Sequence, residues 1–401
     1  MIECLPKPDP TPSCGLYLHA PYCHSKCGYC DFYSVALGTR DAWPVVRAIG
    51  EELDSRLSDD PPLIRTIFFG GGTPTVLDAL QLRHILRMLN ERMDPSALLE
   101  FTVEANPATV DDEKAALLVS YGVTRVSMGA QSFFPDELAS LERLHSPDDI
   151  DPSVAVLRRH GVGQINLDLI FGIPGQTLET WTHSLRRAID LNPDHIACYG
   201  LTYEPGTRLT EMHDTGRLTS CDNELEAEMY LWAIEQLGNA GFLQYEISNF
   251  AKPGRECRHN LLYWHNEPYV GVGPSATGCL QNRRYKNIAD VNEYVRRIAQ
   301  FGDAEASSEE ITPAMLIDEM LMMQLRLSAG LDLSSFHRRT GLDATAHFEP
   351  TLTSLRERGM IRVSSSAIAL THQGRLIADA VIAELAAGGN RRAIRLPVVA
   401  A

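Results

Sequence analysis

The sequence predicts an α/β protein, with six strand-then-helix units in the first half and a smaller α+β module at the C-terminal end. Three observations predict this. Short β-branched and aromatic runs alternate with amphipathic, helix-period stretches as far as residue 203. Beyond that point the alternation stops, and an irregular region rich in Gly, Pro, Asn and aromatics covers residues 245–279. After residue 310 a new set of helices and a hairpin begins. A chain of 401 residues has room for two or three such units.

Strands are expected at 16–19, 64–69, 99–103, 125–130, 165–171 and 195–201. Helices are expected between them near 41–57, 78–92, 111–121, 147–160 and 178–190. Asp78 and Asp111 supply helix starts, and Gly122 and Gly161 supply stops. Repeated β/α units argue for a parallel sheet with helices outside. The six units use residues 16–203, whereas a full eight-unit barrel takes about 250 residues. A partial barrel and a doubly wound sheet both fit that count. A long helix at 222–240 and another near 290–300 follow, and the acidic stretch 302–310 reads as a linker. Residues 312–327 and 343–358 read as helices, 361–363 and 367–370 as a hairpin, and 372–386 as a last helix. Helix, helix, hairpin, helix resembles a winged-helix module. The expected division is a 1–15 extension, a 16–203 barrel, a 204–302 segment completing it, and a 311–387 domain. The tail from Gly388 reads as loosely ordered.

Charge and composition narrow the function. With 52 acidic and 36 basic side chains the formal charge is −16, which argues against nucleic acid as a partner. Hydrophobic residues at 44% and charged residues at 22% exclude global disorder. No apolar run approaches the roughly 20 residues that span a bilayer, and no secretory signal opens the chain. A cytoplasmic protein is the expectation. Nine cysteines cannot all pair, so free thiols in a reducing compartment are the default.

Three of those cysteines, Cys23, Cys27 and Cys30, sit on a loop directly after the first strand. Spacings of three and two residues let thiolates wrap three corners of a cubane cluster and leave one iron open. Zinc with a distant fourth ligand, or three incidental thiols, are the competing readings. Gly70, Gly71, Gly72 and Thr73 follow the second strand, where glycine permits close backbone approach to a ligand or simply a tight turn. Glu104, Gln131 and Asp168 lie at or near later strand ends, with Arg143 twelve residues beyond Gln131. Each has a bland reading as a strand-end or surface polar residue. Together they sit where β/α proteins place their chemistry.

The cysteine spacing on that loop, with the glycine turn one unit later, resembles the radical SAM superfamily, and the likeness covers roughly residues 14–380. The resemblance implies a partial (β/α)6 barrel and a [4Fe-4S] cluster on Cys23, Cys27 and Cys30. It also implies S-adenosylmethionine (SAM) contacts at Tyr17, Gly71, Gly72, Thr73, Glu104, Gln131, Arg143 and Asp168. Within the superfamily the chain is similar to the oxygen-independent coproporphyrinogen III dehydrogenase group of porphyrin metabolism. That enzyme carries a further cysteine two residues after the third, where this chain has Phe32, and a longer N-terminal extension. Both departures resemble the group's heme-chaperone branch instead, marked by His-Asn-x-x-Tyr-Trp, here His259, Asn260, Tyr263 and Trp264. That branch implies heme as bound cargo and heme-accepting proteins, some of them at membranes, as partners. It makes His259 a candidate heme ligand, with His19, His24 and Cys257 as rivals and a polar-turn role as the alternative. Porphyrinogen oxidation stays the competing activity.

Overall fold

A computed structural model describes residues 14–57 and 62–389. Most of the expected N-terminal extension, and the tail beyond Gly389, lie outside the described residues. The six expected units are present. Their strands are β1 (Cys14–Ala20), β2 (Ile64–Gly71), β3 (Glu100–Ala105), β4 (Arg125–Gln131), β5 (Gln164–Phe171) and β6 (His195–Gly200). They pair in parallel in that order. Their core positions are Val, Ile, Leu and Phe on one face and polar residues on the other, as in Leu16 and Leu18 against Tyr17 and His19. The intervening helices are α1 (Trp43–Arg56), α2 (Ala79–Arg92), α3 (Asp112–Ser120), α4 (Pro135–Ser140), α5 (Ile150–Arg159) and α6 (Leu178–Asp190). Asp78 closes a capping box on α2, and Asp111 caps α3 through the Lys114 amide.

After α7 (Arg208–Asp214) and α8 (Asn223–Asn239), the chain adds strands to both flanks of the sheet instead of closing it. On one flank lie β7 (Leu243–Gln244) and β8 (Asn249–Ala251). After α9 (Arg258–Trp264), the other flank receives β9 (Tyr269–Val272), β10 (Thr277–Leu280) and β11 (Arg283–Asn287). Past α10 (Val291–Phe301), β12 (Glu305–Glu310) forms the outer edge. The twelve strands run β12-β11-β10-β9-β1-β2-β3-β4-β5-β6-β8-β7, with β9 parallel to β1. The segment 204–302 therefore extends an open sheet.

The stretch read as a linker is a strand. Glu305–Glu310 ladders with Arg283–Asn287, its carboxylates meeting the arginines of β11. An acidic, exposed edge strand has no alternating apolar face, so it carries no local signal.

The C-terminal module has its own core, centred on Leu321, Phe336, Phe348, Leu355 and Leu385. It comprises α11 (Pro313–Gln324), β13 (Leu331–Asp332), α12 (Leu333–Thr340), α13 (Ala344–Phe348) and α14 (Thr351–Glu357). The hairpin β14 (Ile361–Val363) and β15 (Ala367–Leu370), α15 (His372–Leu376) and α16 (Ala378–Gly388) complete it. The helix expected over 343–358 is two, broken at Pro350, and the last helix is also divided. Helix α12 was not expected, although Asp332 caps it and Gly341 stops it in the left-handed region.

The inner face of α1 carries one buried carboxylate that ties the β9 flank to the first β/α unit. Glu52 accepts hydrogen bonds from the Gly273 amide (2.9 Å), the Tyr294 hydroxyl (2.7 Å) and the Asn287 amide (2.7 Å). Burial raises its pKa above the ordinary carboxylate value while these donors act to lower it. Glu52→Ala leaves the buried Gly273 amide and Tyr294 hydroxyl without an acceptor and takes one of the two acceptors of Asn287, which keeps the Gly273 carbonyl (2.9 Å). It should destabilise the protein by about 3 kcal/mol, read as a lower urea midpoint at unchanged slope.

Candidate functional site

The candidate residues gather at the carboxyl ends of β1 to β5. Immediately after β1 the chain forms the cysteine loop, and immediately after β2 it forms the glycine loop. The two are joined backbone to backbone: the Gly72 amide donates to the Ala20 carbonyl and the Thr73 amide to the Tyr22 carbonyl, both at 2.7 Å. A Cβ on Gly72 would lie 2.5 Å from the Tyr22 carbonyl oxygen and 2.6 Å from that of Ala20. Gly71 has φ +95°, and a Cβ there would meet the His19 ring at 2.3 Å. These glycines are required first by the meeting of two protein loops, before any ligand is considered.

One hydrogen-bonded chain links two of the three cysteines. Thr73 Oγ1 donates to Cys23 Sγ (3.5 Å), Asn106 Nδ2 to Thr73 Oγ1 (2.8 Å), and Arg143 Nη2 to Asn106 Oδ1 (2.5 Å). Arg143 Nη1 then reaches Cys27 Sγ at 3.5 Å. Arg143 is thus drawn into the site, and among the described residues its buried Nε has no partner. Asn106 was missed by sequence reasoning. Its one signal is a polar residue, followed by Pro107, two positions beyond Glu104 at a strand end.

Burial pushes the Cys23 thiol up and that of Cys30 up to about 11, so a metal must displace their protons. Among the described residues no three His, Cys, Asp or Glu side chains converge on a single-ion site. A four-iron cluster asks for a different arrangement, with thiolates at separate corners.

The remaining residues line the same end. Tyr17 and His19 are coupled, because His19 Nε2 meets the Tyr33 carbonyl (2.8 Å), which can only accept. His19 Nδ1 therefore accepts from the Tyr17 hydroxyl at 2.9 Å. Burial lowers the His19 pKa to about 4, keeping the ring neutral. Glu104 Oε2 accepts from the Gly71 amide (3.0 Å). Asp168 accepts from Asn166 (2.7 Å) and Ser127 (3.3 Å). Gln131 sits at φ +63° at a bulge in β4, a strained position for a residue with a side chain.

His259 stands apart. It lies on α9, at the opposite, amino-terminal end of the strands, and is fully buried. Nδ1 bonds Thr66 Oγ1 (2.8 Å), Nε2 bonds the Tyr263 hydroxyl (2.9 Å), and burial lowers its pKa to about 3. Glu100 of β3 accepts from the amides of Arg258 (2.8 Å) and His259 (3.1 Å), holding the start of α9. Asn260, Tyr263 and Trp264 line a cavity of about 910 Å³, whereas His259 does not. For His259 to reach an iron, α9 would have to leave this seat. Of the rivals, Cys257 is buried under Glu100 (3.3 Å), and His19 is fully engaged.

A family model for the radical SAM superfamily matches residues 17–188, and one for the HemN C-terminal domain matches residues 311–377. The chain is 38% identical over 367 residues to the heme chaperone HemW of Bacillus subtilis, covering 91% of this chain and 97% of that one. The chain belongs to the HemW family of radical SAM proteins. It is 35% identical over 384 residues to the HemW of Mycobacterium tuberculosis, covering 94% and 96% of the two chains. Among solved structures, the coproporphyrinogen III oxidase HemN of Escherichia coli superposes with a TM-score of 0.80 at 22% identity. That match covers 93% of this chain and 90% of the other. It shows that the two share a fold.

Superfamily membership implies a cluster and SAM, and the donor set fits both. The three thiols sit beside a buried arginine with a spare N–H. Glu104 and Asp168 face a half-buried site in which burial, then the Asp168 charge, raises the Glu104 pKa to about 8. A site with two such carboxylates favours a cationic ligand. SAM carries a sulfonium and an ammonium. Because the folded pKa of Glu104 is raised, its ionisation costs stability progressively as pH climbs from about 4.5 to about 8. Glu104→Gln should therefore gain on wild type across that interval and match its trend below it, as read from urea midpoints at a series of pH values.

Proposed function

We propose that this chain is a heme chaperone that holds a [4Fe-4S] cluster and SAM and hands heme to acceptor proteins. The observation that carries the reading is the near full-length likeness, at 38% identity, to a protein named a heme chaperone. Cys23, Cys27 and Cys30 would hold the cluster. Tyr17, Gly71, Gly72, Thr73, Glu104, Gln131, Arg143 and Asp168 would hold SAM. When bound, that pair supplies one-electron reduction of SAM.

The chain's own residues position these groups. Asn106 and Arg143 fix the cysteine loop against the glycine loop, and the spare Arg143 N–H suits a carboxylate. Glu104 and Asp168 suit an ammonium group and ribose hydroxyls. The same constellation favours one other reading, oxidation of coproporphyrinogen III. Against it, position 32 holds no thiol: Phe32 is 62% exposed to solvent.

The test is anaerobic. Reconstituted protein should bind heme in a visible-absorbance titration and should leave coproporphyrinogen unconsumed when SAM and reductant are supplied. Heme refused and porphyrinogen consumed would overturn the reading. Cys27→Ala should remove the cluster's visible absorbance, and a full [4Fe-4S] spectrum in that variant would overturn the ligand assignment.

A further inference from the structure

The cavity beside α9 collects residues from both flanks of the open sheet. Tyr199 belongs to β6 and Asn249 to β8, while Tyr269 belongs to β9 and Cys279 to β10. In a flat sheet β6 and β9 would stand roughly 29 Å apart, at about 4.8 Å per strand. Sharing one cavity means that the sheet curls until its flanks face each other across a gap. Helix α9 and α11 of the C-terminal module border that gap. The volume, about 910 Å³, lies within the roughly 300–1,000 Å³ usual for ligand and cofactor sites.

The donors on its wall are specific. Trp264 and Tyr269 offer aromatic faces, and Met322 and Met323 of α11 offer thioethers. Helix α11 buries Ile317, Met320 and Leu321 in the C-terminal core, yet it also presents apolar residues outside that core. Met322 is 46% exposed. A helix that is apolar on a second face is covered by something.

We propose that this cavity is the cargo site, taking a metal tetrapyrrole whose ring lies against Trp264 and Tyr269 and whose iron is bound by the thioether of Met322 or Met323. The proposal rests on the heme-chaperone reading and deepens it. Among the described residues no histidine lines the cavity. Three carboxylates line it too, but Glu319 is paired with Arg284, Glu246 accepts from the Ser248 amide (3.1 Å), and burial pushes Glu267 toward its protonated form. Its phenols and its thiol would each have to lose a proton. Burial pushes the phenol of Tyr263 well above its ordinary value, that of Tyr269 up to about 12, and the Cys279 thiol upward. A thioether has no proton to lose.

The ring's carboxylates have a partner in Arg326. Among the described residues its one ion pair is with Asp379, whose side chain is 82% exposed, so the pair is weak and exchangeable. A thioether is also a weak iron ligand, which suits cargo. On transfer the iron–sulfur bond breaks as an acceptor's imidazole bonds the iron, with no electron moved.

The experiment titrates ferric heme into reconstituted wild type and into the double variant Met322→Leu, Met323→Leu, which keeps volume and removes sulfur. Wild type should show the near-infrared thioether-to-iron charge-transfer band. The double variant should lose that band and bind heme at least about tenfold more weakly, while its cluster absorbance and far-UV spectrum stay unchanged. If wild type and variant bind heme equally and with the same spectrum, this site is wrong while the chaperone reading survives. If wild type binds no heme, both fall.

Discussion

Two opposite charges hold the seven-residue helix α9, and the arrangement of the molecule follows from that seat. At its amino end the Glu100 carboxylate accepts from two helix amides. At its carboxyl end the Arg339 guanidinium donates to the carbonyls of His265 (2.9 Å) and Asn266 (3.1 Å). An acid at the start and a cation past the end both oppose the helix dipole, each worth up to about 2 kcal/mol when partly buried. Glu100 comes from the centre of the sheet and Arg339 from α12 in the C-terminal module, so this short helix joins the two. Between the ends, His259 bonds Thr66 and packs so close to β1 that a Cβ on Gly15 would lie 2.9 Å from its ring.

With α9 fixed there, the two ends of the strands serve different purposes. The carboxyl ends carry thiols, an arginine and two carboxyl groups whose pKa values burial raises, a setting for a cluster and a cationic cofactor. The amino ends are closed by neutral, hydrogen-bonded His259 and Tyr263. The open flank beside them is aromatic and sulfur-rich. Between the ends runs a buried polar network, in which Asn166 bonds both Asp168 and His195 (2.6 Å), and His195 bonds Tyr245 (2.9 Å). The chain continues from Tyr245 to Glu246 on the cavity wall. Such a network is rigid only while every member is satisfied. It gives the two regions a shared hydrogen-bonded core.

Much of this was legible in sequence because local rules carried it. Period-two runs marked β1 to β6, and Asp78 and Asp111 marked helix starts. The cysteine spacing needed no tertiary information. What escaped was whatever a distant residue decides. Helix α9 is held by Glu100, more than 150 positions away in the chain, and β12 is an acidic edge whose partner is β11. Asn106 belongs to the site only because Thr73 and Arg143 fold onto it. The motif at 259–264 lies beside the cavity. Sequence could not tell that its histidine faces inward while Asn260, Tyr263 and Trp264 border the cavity.

The cluster loop and the proposed cargo cavity are separate sites, the one at the carboxyl ends of the strands and the other beside a seated α9. Anomalous diffraction at the iron edge, from crystals of the reconstituted, heme-loaded protein, measures this directly. Two iron positions are expected, one at Cys23, Cys27 and Cys30 and one in the cavity beside Met322 and Met323, with His259 still bonded to Thr66. A second iron bound to His259 with α9 displaced, or iron at the cysteines alone, would contradict it.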